Sequence, residues 1–314
     1  MSDPPYRTYA RYLRDRYGCS VYRVAVDAGF TCPNRCDGGR QSAGCTYCAE
    51  DGARAPYLGA ASENATSATG SLARQVEEST AFLRRRYDAR AFILYFQAHS
   101  NTNAPVAKLR RVYDEGLSLA PFVGMNVATR PDCIDAAVAD LLAAYQTATR
   151  EVWVELGLQS AHDTTLDRIR RGHTVADFLA AYILLKERGL KVAVHLIFGL
   201  PGEHKADIDG TVDMVGSLRP DGVKIHNLHV ARDTLLAAEY SHGEVTAPCA
   251  ERHLGYLIDA LERLPPETVI MRLTCDTPPA RLLAPRGFGR KEPFLARLAS
   301  EMQRRGARQG RLAH

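Results

Sequence analysis

Several β-prone runs of this chain alternate polar and apolar residues, and that alternation limits what the chain can fold into. In EVWVELGLQS, Val152, Val154, Leu156 and Leu158 share one face, while Glu151, Glu155 and Gln159 share the other. Successive strand side chains point to opposite faces, so one face meets an apolar layer and the other stays polar. The split recurs along the chain. Tyr95 and Gln97 oppose Leu94 and Phe96, and Asn126 and Arg130 oppose Met125 and Val127. His195 opposes Val194 and Leu196, and Lys224 and His226 oppose Val223 and Ile225.

These runs belong to six expected strands, at 21–26, 91–97, 122–129, 151–159, 191–199 and 222–230. Amphipathic stretches such as SLARQVEESTAFLRRRY and TVADFLAAYILLKERG lie between them. After the first gap the strands recur about every 30 to 40 residues, the length of a βαβ unit, and serial right-handed crossovers give a parallel sheet. A doubly wound sheet is apolar on both faces because helices cover both. A polar face on parallel strands instead implies a wet interior, so the expected fold is α/β, an open partial (β/α)6 barrel of TIM type. Its site belongs at the C-terminal ends of the strands. The barrel is expected over residues 1–265, with a loop at 31–50. Residues 266–314, rich in proline, are read as a small irregular C-terminal extension ending in a basic tail.

That loop holds four of the chain's eight cysteines, Cys32, Cys36, Cys45 and Cys48, in TCPNRCDGGRQSAGCTYC. The polar N-terminus has no apolar core of a signal peptide, and no run approaches the roughly 20 apolar residues of a membrane span. A cytoplasmic location without a membrane partner is therefore expected. Reduced thiols there favour a metal site over disulfides. Spacing alone leaves two sites open: a structural zinc on all four cysteines, or an iron–sulfur cluster on three. Net charge is only +4, yet arginines crowd both ends, at Arg7, Arg11, Arg14 and Arg16 and in EMQRRGARQGRLAH. Such ends are either solvated or contact an anionic polymer such as RNA.

The ordered set CPNR, GCTYC, LYFQAHSNT, ATRPD, ELGLQSAHDTTLDRIRRGH, HLIFGLPGE and KIHNLHVARDT resembles the radical S-adenosylmethionine enzymes. Within them it is most similar to the YhcC/YtqA-like branch, related to the Elongator catalytic subunit but without its acetyltransferase domain. The resemblance covers nearly the whole chain. It implies a [4Fe–4S] cluster on Cys32, Cys45 and Cys48, with one iron left for S-adenosylmethionine, and a 5′-deoxyadenosyl radical. Two departures stand out: the glycine pair usual in the second-strand motif is absent, and Cys36 is an insertion, which makes it a bystander.

The same resemblance, together with the inward-facing pattern, distributes roles. Tyr47 would pack near the adenine, with Ile197, Gly199 and Gly202 also on the cofactor. Gln97 would bond the methionyl amino group, Glu155 and Gln159 the ribose or methionyl moiety, and Arg171 the carboxylate. Arg130, His195, Lys224 and His226 are left for the substrate or for proton management. His162, His173, His229 and His253 have weaker claims. Cys133, Cys249 and Cys275 read as ordinary buried thiols.

Members of this branch imply a tRNA substrate, with a wobble-uridine side chain converted from 5-carboxymethylaminomethyl to aminomethyl. The arginine-rich ends would then dock the anticodon stem. A flavodoxin- or ferredoxin-type electron donor is expected as a partner, and a methyltransferase downstream. The alternatives are a small-molecule radical oxidase of the coproporphyrinogen type and a zinc-stabilised RNA-binding module.

Overall fold

A computed structural model describes residues 4–37, 40–41, 44–49 and 71–313. The chain enters through helix α1 (Tyr9–Tyr17), which Thr8 caps by accepting the Arg11 N–H at 3.2 Å. Strand β1 (Val21–Val26) follows, then two short strands, β2 (Cys36–Asp37) and β3 (Arg40–Gln41). The rhythm continues through α2 (Leu72–Tyr87), β4 (Ala91–Phe96), α3 (Val106–Ser118), β5 (Phe122–Thr129), α4 (Ala136–Ala143) and β6 (Glu151–Gln159). Then come α5 (Asp163–Arg168), α6 (Val175–Glu187), β7 (Lys191–Phe198), α7 (Lys205–Ser217) and β8 (Gly222–Asn227).

The sheet does not stop at six strands. Its order is β1-β4-β5-β6-β7-β8-β10, every neighbouring pair parallel, with β10 at Val269–Arg272. This seventh strand lies beyond residue 265, inside the segment expected to be irregular. Before it come β9 (Val230–Ala231), α8 (Leu235–Ser241) and α9 (Ala250–Arg263), and after it β11 (Leu282–Ala284) and α10 (Lys291–Arg305). The prolines that hid this order sit outside the strands. Pro278 and Pro279 lie between β10 and β11, Pro285 follows β11, and Pro293 is in the first turn of α10, where a missing N–H costs little.

The outward faces of the strands and the surrounding helices share the main core, which includes Val154, Leu156, Phe96, Phe178 and Leu257. Inside, the barrel is layered. Its N-terminal end is apolar: Tyr9 and Leu13 of α1 pack against Ile93, Trp153, Ala193, Val269 and Met271. The Trp153 ring stands edge-on to Tyr9 at 5.6 Å and to Tyr12 at 5.5 Å. Such edge-to-face pairs add about 0.5–1.5 kcal/mol each to the area they bury. Helix α1 therefore plugs the bottom of the barrel. The chain just before it also covers the edge of β10, through the Ile270 N–H donated to the Arg7 carbonyl at 2.8 Å.

The C-terminal segment comes to the same end. Gln309 accepts the Arg7 N–H at 2.8 Å and donates to the carbonyls of Pro265 and Thr268, both at 2.7 Å. Both arginine-rich ends thus lie at the bottom of the barrel, away from the C-terminal ends of the strands. Several of their arginines are committed locally: Arg16 to Glu151, Arg304 and Arg305 to Glu301, and Arg311 to Glu262. The expectation that these ends dock a polymer entering the barrel mouth is corrected by this placement. Charge counting along a sequence cannot say at which end of a barrel the termini fall.

Because Trp153 is 1% exposed and central to the plug, Trp153→Ala should cost about 3–5 kcal/mol. Urea unfolding measures this, and a loss below about 1 kcal/mol would show that the plug does not hold the barrel end.

Candidate active site

Above the plug, the middle of the barrel is ionic. Glu155 on β6 is 3% exposed. It receives Lys224 Nζ from β8 at 2.8 Å, Arg23 Nη1 from β1 at 3.3 Å and the Tyr95 hydroxyl from β4 at 2.6 Å. Lys224 also donates to the Tyr95 oxygen at 3.0 Å. Burial opposes ionisation of Glu155, but Lys224 and Arg23 outweigh it and hold the carboxyl down at about 2. Burial likewise pulls Lys224 down to about 8, against the attraction of Glu155 and with help from Arg272.

Over this layer opens a cavity of about 790 Å³ at the C-terminal ends of the strands. The inward residues read from the alternation meet there: Gln97, Arg130, Glu155, Gln159, His195, Lys224 and His226 all line it, and Ile197 joins them. So do Cys32, Cys45, Tyr47, Cys48 and Arg171. The His195 and His226 rings stand edge to face, 4.3 Å between centroids. Burial first, then Lys224 for His195 and His195 for His226, pushes both well below the ordinary histidine range, so both are neutral.

The cysteine loop is strapped to the barrel by the RRGH turn. Asn34 Nδ2 donates to the Arg170 carbonyl at 2.6 Å and to Cys45 Sγ at 3.3 Å, and the Thr46 N–H donates to the Ile169 carbonyl at 3.0 Å. Arg171 reaches Cys45 Sγ with Nη1 at 3.7 Å and the Gly157 carbonyl with Nη2 at 2.8 Å. A Cβ at position 157 would lie 2.6 Å from that Nη2, so a side chain there would push the guanidinium off this position. At Gly172, with φ +74°, a Cβ would meet Asn34 Oδ1 at 2.7 Å. His173 Nε2 accepts from Arg171 Nε at 2.9 Å. Its Nδ1 lies 3.1 Å from the Thr174 carbonyl, which fits a neutral ring protonated at Nδ1. Burial and Arg171 take His173 down to about 4.

Burial alone would raise the Cys45 thiol. The charges of Arg171 and Arg130 and the hydrogen bonds from Arg171 and Asn34 win, and hold it below the ordinary thiol range. Cys48 is pushed up by burial and by Cys45, with Arg35 opposing. Among the described residues no three Cys, His, Asp or Glu side chains are grouped to hold a single metal ion. A zinc site needs thiolates converging about 2.3 Å from one point, whereas a cluster is held by thiolates bound to separate irons. The Cys36 side chain, which the four-cysteine reading needs, lies outside the described residues.

The cavity wall carries buried polar atoms without a partner: Arg130 Nη1, Gln159 Oε1, Asn227 Nδ2, and Nε2 of His195, His226 and His229. Arg130 is fixed by two bonds to Asp132, at 2.8 and 2.9 Å, which leave Nη1 over. Gln159 takes a left-handed φ of 80° where the β6–β7 register shifts. Donors and acceptors of this kind, beside three thiols, suit a ligand with amino, carboxylate and hydroxyl groups. Tyr47 and Ile197 supply an apolar wall with Leu166, Ile169 and Leu228. The residues present fit an iron–sulfur cluster with S-adenosylmethionine.

Other expected residues fall elsewhere. Gly199 packs on Pro248, where a Cβ would lie 2.1 Å from the ring, and Gly202 sits in an exposed turn, so neither lines the cavity. His162 holds the Asp207 carbonyl at 2.9 Å and His253 the Leu273 carbonyl at 2.8 Å, both structural. His229 does line the cavity. Cys249 is exposed at the start of α9, not buried, because it caps the helix from outside. Cys275 lines the cavity and lies against the Asn227 carbonyl at 3.3 Å. Arg23 and Tyr95, which carry the ionic layer, and Arg272, which lines the cavity beside it, were missed as site residues. For Arg23 the signal was available, as a charged residue inside the apolar run VYRVAV.

The Glu155 pairing makes the fold acid-sensitive in a defined window. A carboxyl depressed from its ordinary range to about 2 stabilises the fold fully above about 4.5, and that share is lost as pH falls towards 2. The loss should be about 3 kcal/mol. Urea unfolding at several pH values should show Glu155→Gln less stable at neutral pH but flatter between pH about 4.5 and 2. An equally steep acid limb in the variant would refute the assignment.

Residues 31–215 match the Radical SAM superfamily model, and residues 220–304 match the Radical_SAM C-terminal domain. The chain is 38% identical over 273 residues to Protein YhcC of Escherichia coli, covering 87% of this chain and 84% of that one. It is 33% identical over 159 residues to a tRNA uridine(34) acetyltransferase of Dehalococcoides mccartyi, covering 50% of this chain and 34% of that one. In fold it is similar to the archaeal Elp3 of Methanocaldococcus infernus, with TM-score 0.67 and 20% identity, over 92% of this chain and 64% of that one. With its half-barrel, the three loop cysteines in its cavity and these matches, the chain belongs to the radical SAM superfamily.

Proposed function

We propose that this enzyme acts on tRNA and converts the wobble-uridine side chain from 5-carboxymethylaminomethyl to aminomethyl. The observation that carries a radical reaction is the meeting of Cys32, Cys45 and Cys48 with Arg130, Arg171 and unpartnered polar atoms in one cavity. The RNA substrate is supported by relatives named for uridine 34 of tRNA.

Cys32, Cys45 and Cys48 would hold a [4Fe–4S] cluster, and S-adenosylmethionine bound to it supplies a 5′-deoxyadenosyl radical on reduction. This chain's residues bind and orient. Tyr47 and Ile197 offer the adenine an apolar wall, Gln97 and Gln159 bond the methionyl and ribose groups, and the unshared Nη1 of Arg130, with Arg171, faces the carboxylate. His195 and His226, both neutral, each offer Nε2 to the substrate. Helix α8, tied to the loop by the Leu236 N–H on the Thr46 carbonyl at 2.9 Å, and the β9–β11 pair sit over the mouth and help exclude water. The base would leave its stack to enter. Phosphate contacts fall to cations at the mouth, such as Arg35 and Arg281, which line the cavity.

Protein purified without oxygen should carry about four irons and four sulfides per chain and be brown. Cys32→Ala, Cys45→Ala and Cys48→Ala should each abolish the colour, while Cys36→Ala spares it. tRNA from a deletion strain should accumulate 5-carboxymethylaminomethyluridine. One zinc and no colour would replace the radical reading with an RNA-binding module, and unchanged nucleosides would remove the proposed substrate.

A further inference from the structure

Seven Arg and Lys side chains line the cavity, against two carboxylates, Glu155 and Asp276, among the described residues. Almost all of those cations are engaged. Arg23 and Lys224 share Glu155, Arg130 holds Asp132, and Arg281 pairs with Asp233. Arg171 binds the Gly157 carbonyl and lies against Cys45, and Arg35 binds the Ala49 carbonyl at 2.8 Å. Arg272 is the exception: among the described residues its side chain makes no hydrogen bond and no ion pair. It stands on β10 in register with Lys224 of β8, so its neighbour is another cation. The imidazoles nearby, His195 and His226, are neutral and cannot balance it.

Lys224 and Arg23 already share Glu155, the one buried carboxylate lining the cavity among the described residues, so the Arg272 guanidinium beside them has no counter-charge of its own and favours an arriving anion. We propose that Arg272, with Lys224 and the free Nδ2 of Asn227, forms a subsite for a carboxylate carried by the substrate. Asn227 is 1% exposed, lines the cavity, and is fixed through its Oδ1, which accepts the Cys275 N–H at 3.2 Å. A guanidinium fork matches the two oxygens of a carboxylate. The cofactor's own carboxylate has other cations to meet, Arg130 and Arg171, on the side of the cysteines. Backbone phosphates of a polymer are held outside the barrel by the sugar, so a group on the base itself is what reaches this wall. The inference rests on the reading of the substrate as a modified uridine, and it gives the carboxymethyl end of that side chain its anchor.

Binding without turnover tests it. The cluster-loaded, unreduced protein with S-adenosylmethionine is titrated with anticodon stem-loop RNA. The RNA bears 5-carboxymethylaminomethyluridine, its methyl ester, or uridine, and binding is read by fluorescence anisotropy. Wild type should favour the free carboxylate over the ester by roughly tenfold or more. Arg272→Gln should bind both equally, at the wild-type affinity for the ester, and Arg272→Lys should keep part of the preference. S-adenosylmethionine affinity should be unchanged in both variants, and neither should unfold at a lower temperature than wild type, since the cation has no internal partner to lose.

A preference that survives in Arg272→Gln overturns the subsite. So does a tenfold loss of S-adenosylmethionine affinity, which would give Arg272 to the cofactor, or a sharp fall in unfolding temperature, which would make it structural. RNA binding without any carboxylate preference in wild type overturns the subsite and leaves the RNA reading standing. No RNA binding at all removes the RNA reading instead. The free nucleoside and its methyl ester then decide the subsite: a preference lost in Arg272→Gln supports it, and equal binding overturns it.

Discussion

Glu155 receives partners from three other strands at once, Arg23 from β1, Tyr95 from β4 and Lys224 from β8. An open barrel lacks the closing ladder that would fix the distance across its interior. One carboxylate with two cations and a hydroxyl substitutes for part of that ladder, because a buried charge must keep its partners or pay the full cost of desolvation. The layers above and below follow from it. Below, the aromatic plug from α1 keeps water from undercutting the ion pairs. Above, the network sets a charged floor on which the cavity stands, and burial, with Lys224 beside His195, keeps two histidines neutral.

The second constraint is the strap between the cysteine loop and the RRGH turn. A loop rich in glycine has no stiffness of its own. Its position comes from Asn34 and Thr46 bonding the turn, and from Arg171 threading past Gly157 to reach Cys45. The same guanidinium that fixes the loop lowers one of its thiols, so position and electrostatics share one residue. Backbone space at Gly157 and Gly172 is what permits this.

Much of the barrel was legible in the sequence, since period-two alternation is a local signal and inward polar residues stand out against apolar neighbours. That signal found Gln97, Glu155, Gln159, His195, Lys224 and His226, all of which line the cavity. It missed Arg272, because β10 has four residues and is bracketed by Pro265–Pro266 and Pro278–Pro279, too short to show an alternation. The family resemblance placed Gly199 on the cofactor, since a glycine by a strand end admits close approach; that what approaches is Pro248, from a distant segment, is a tertiary fact. The arginine-rich ends misled for the same reason. Composition gives the charge of a terminus, and packing decides which end of the barrel it decorates.

Gln309 ties the two ends of the chain together at the barrel bottom, where it bridges Arg7, Pro265 and Thr268. Ends held side by side and remote from the mouth make the barrel indifferent to what is joined there. The segments around Arg7 and Gln309 could be linked and new ends opened in a surface turn while the catalytic face stayed clear. An immobilised or fused form attached at this bottom would present its open mouth outward, which makes the fold a convenient module to mount.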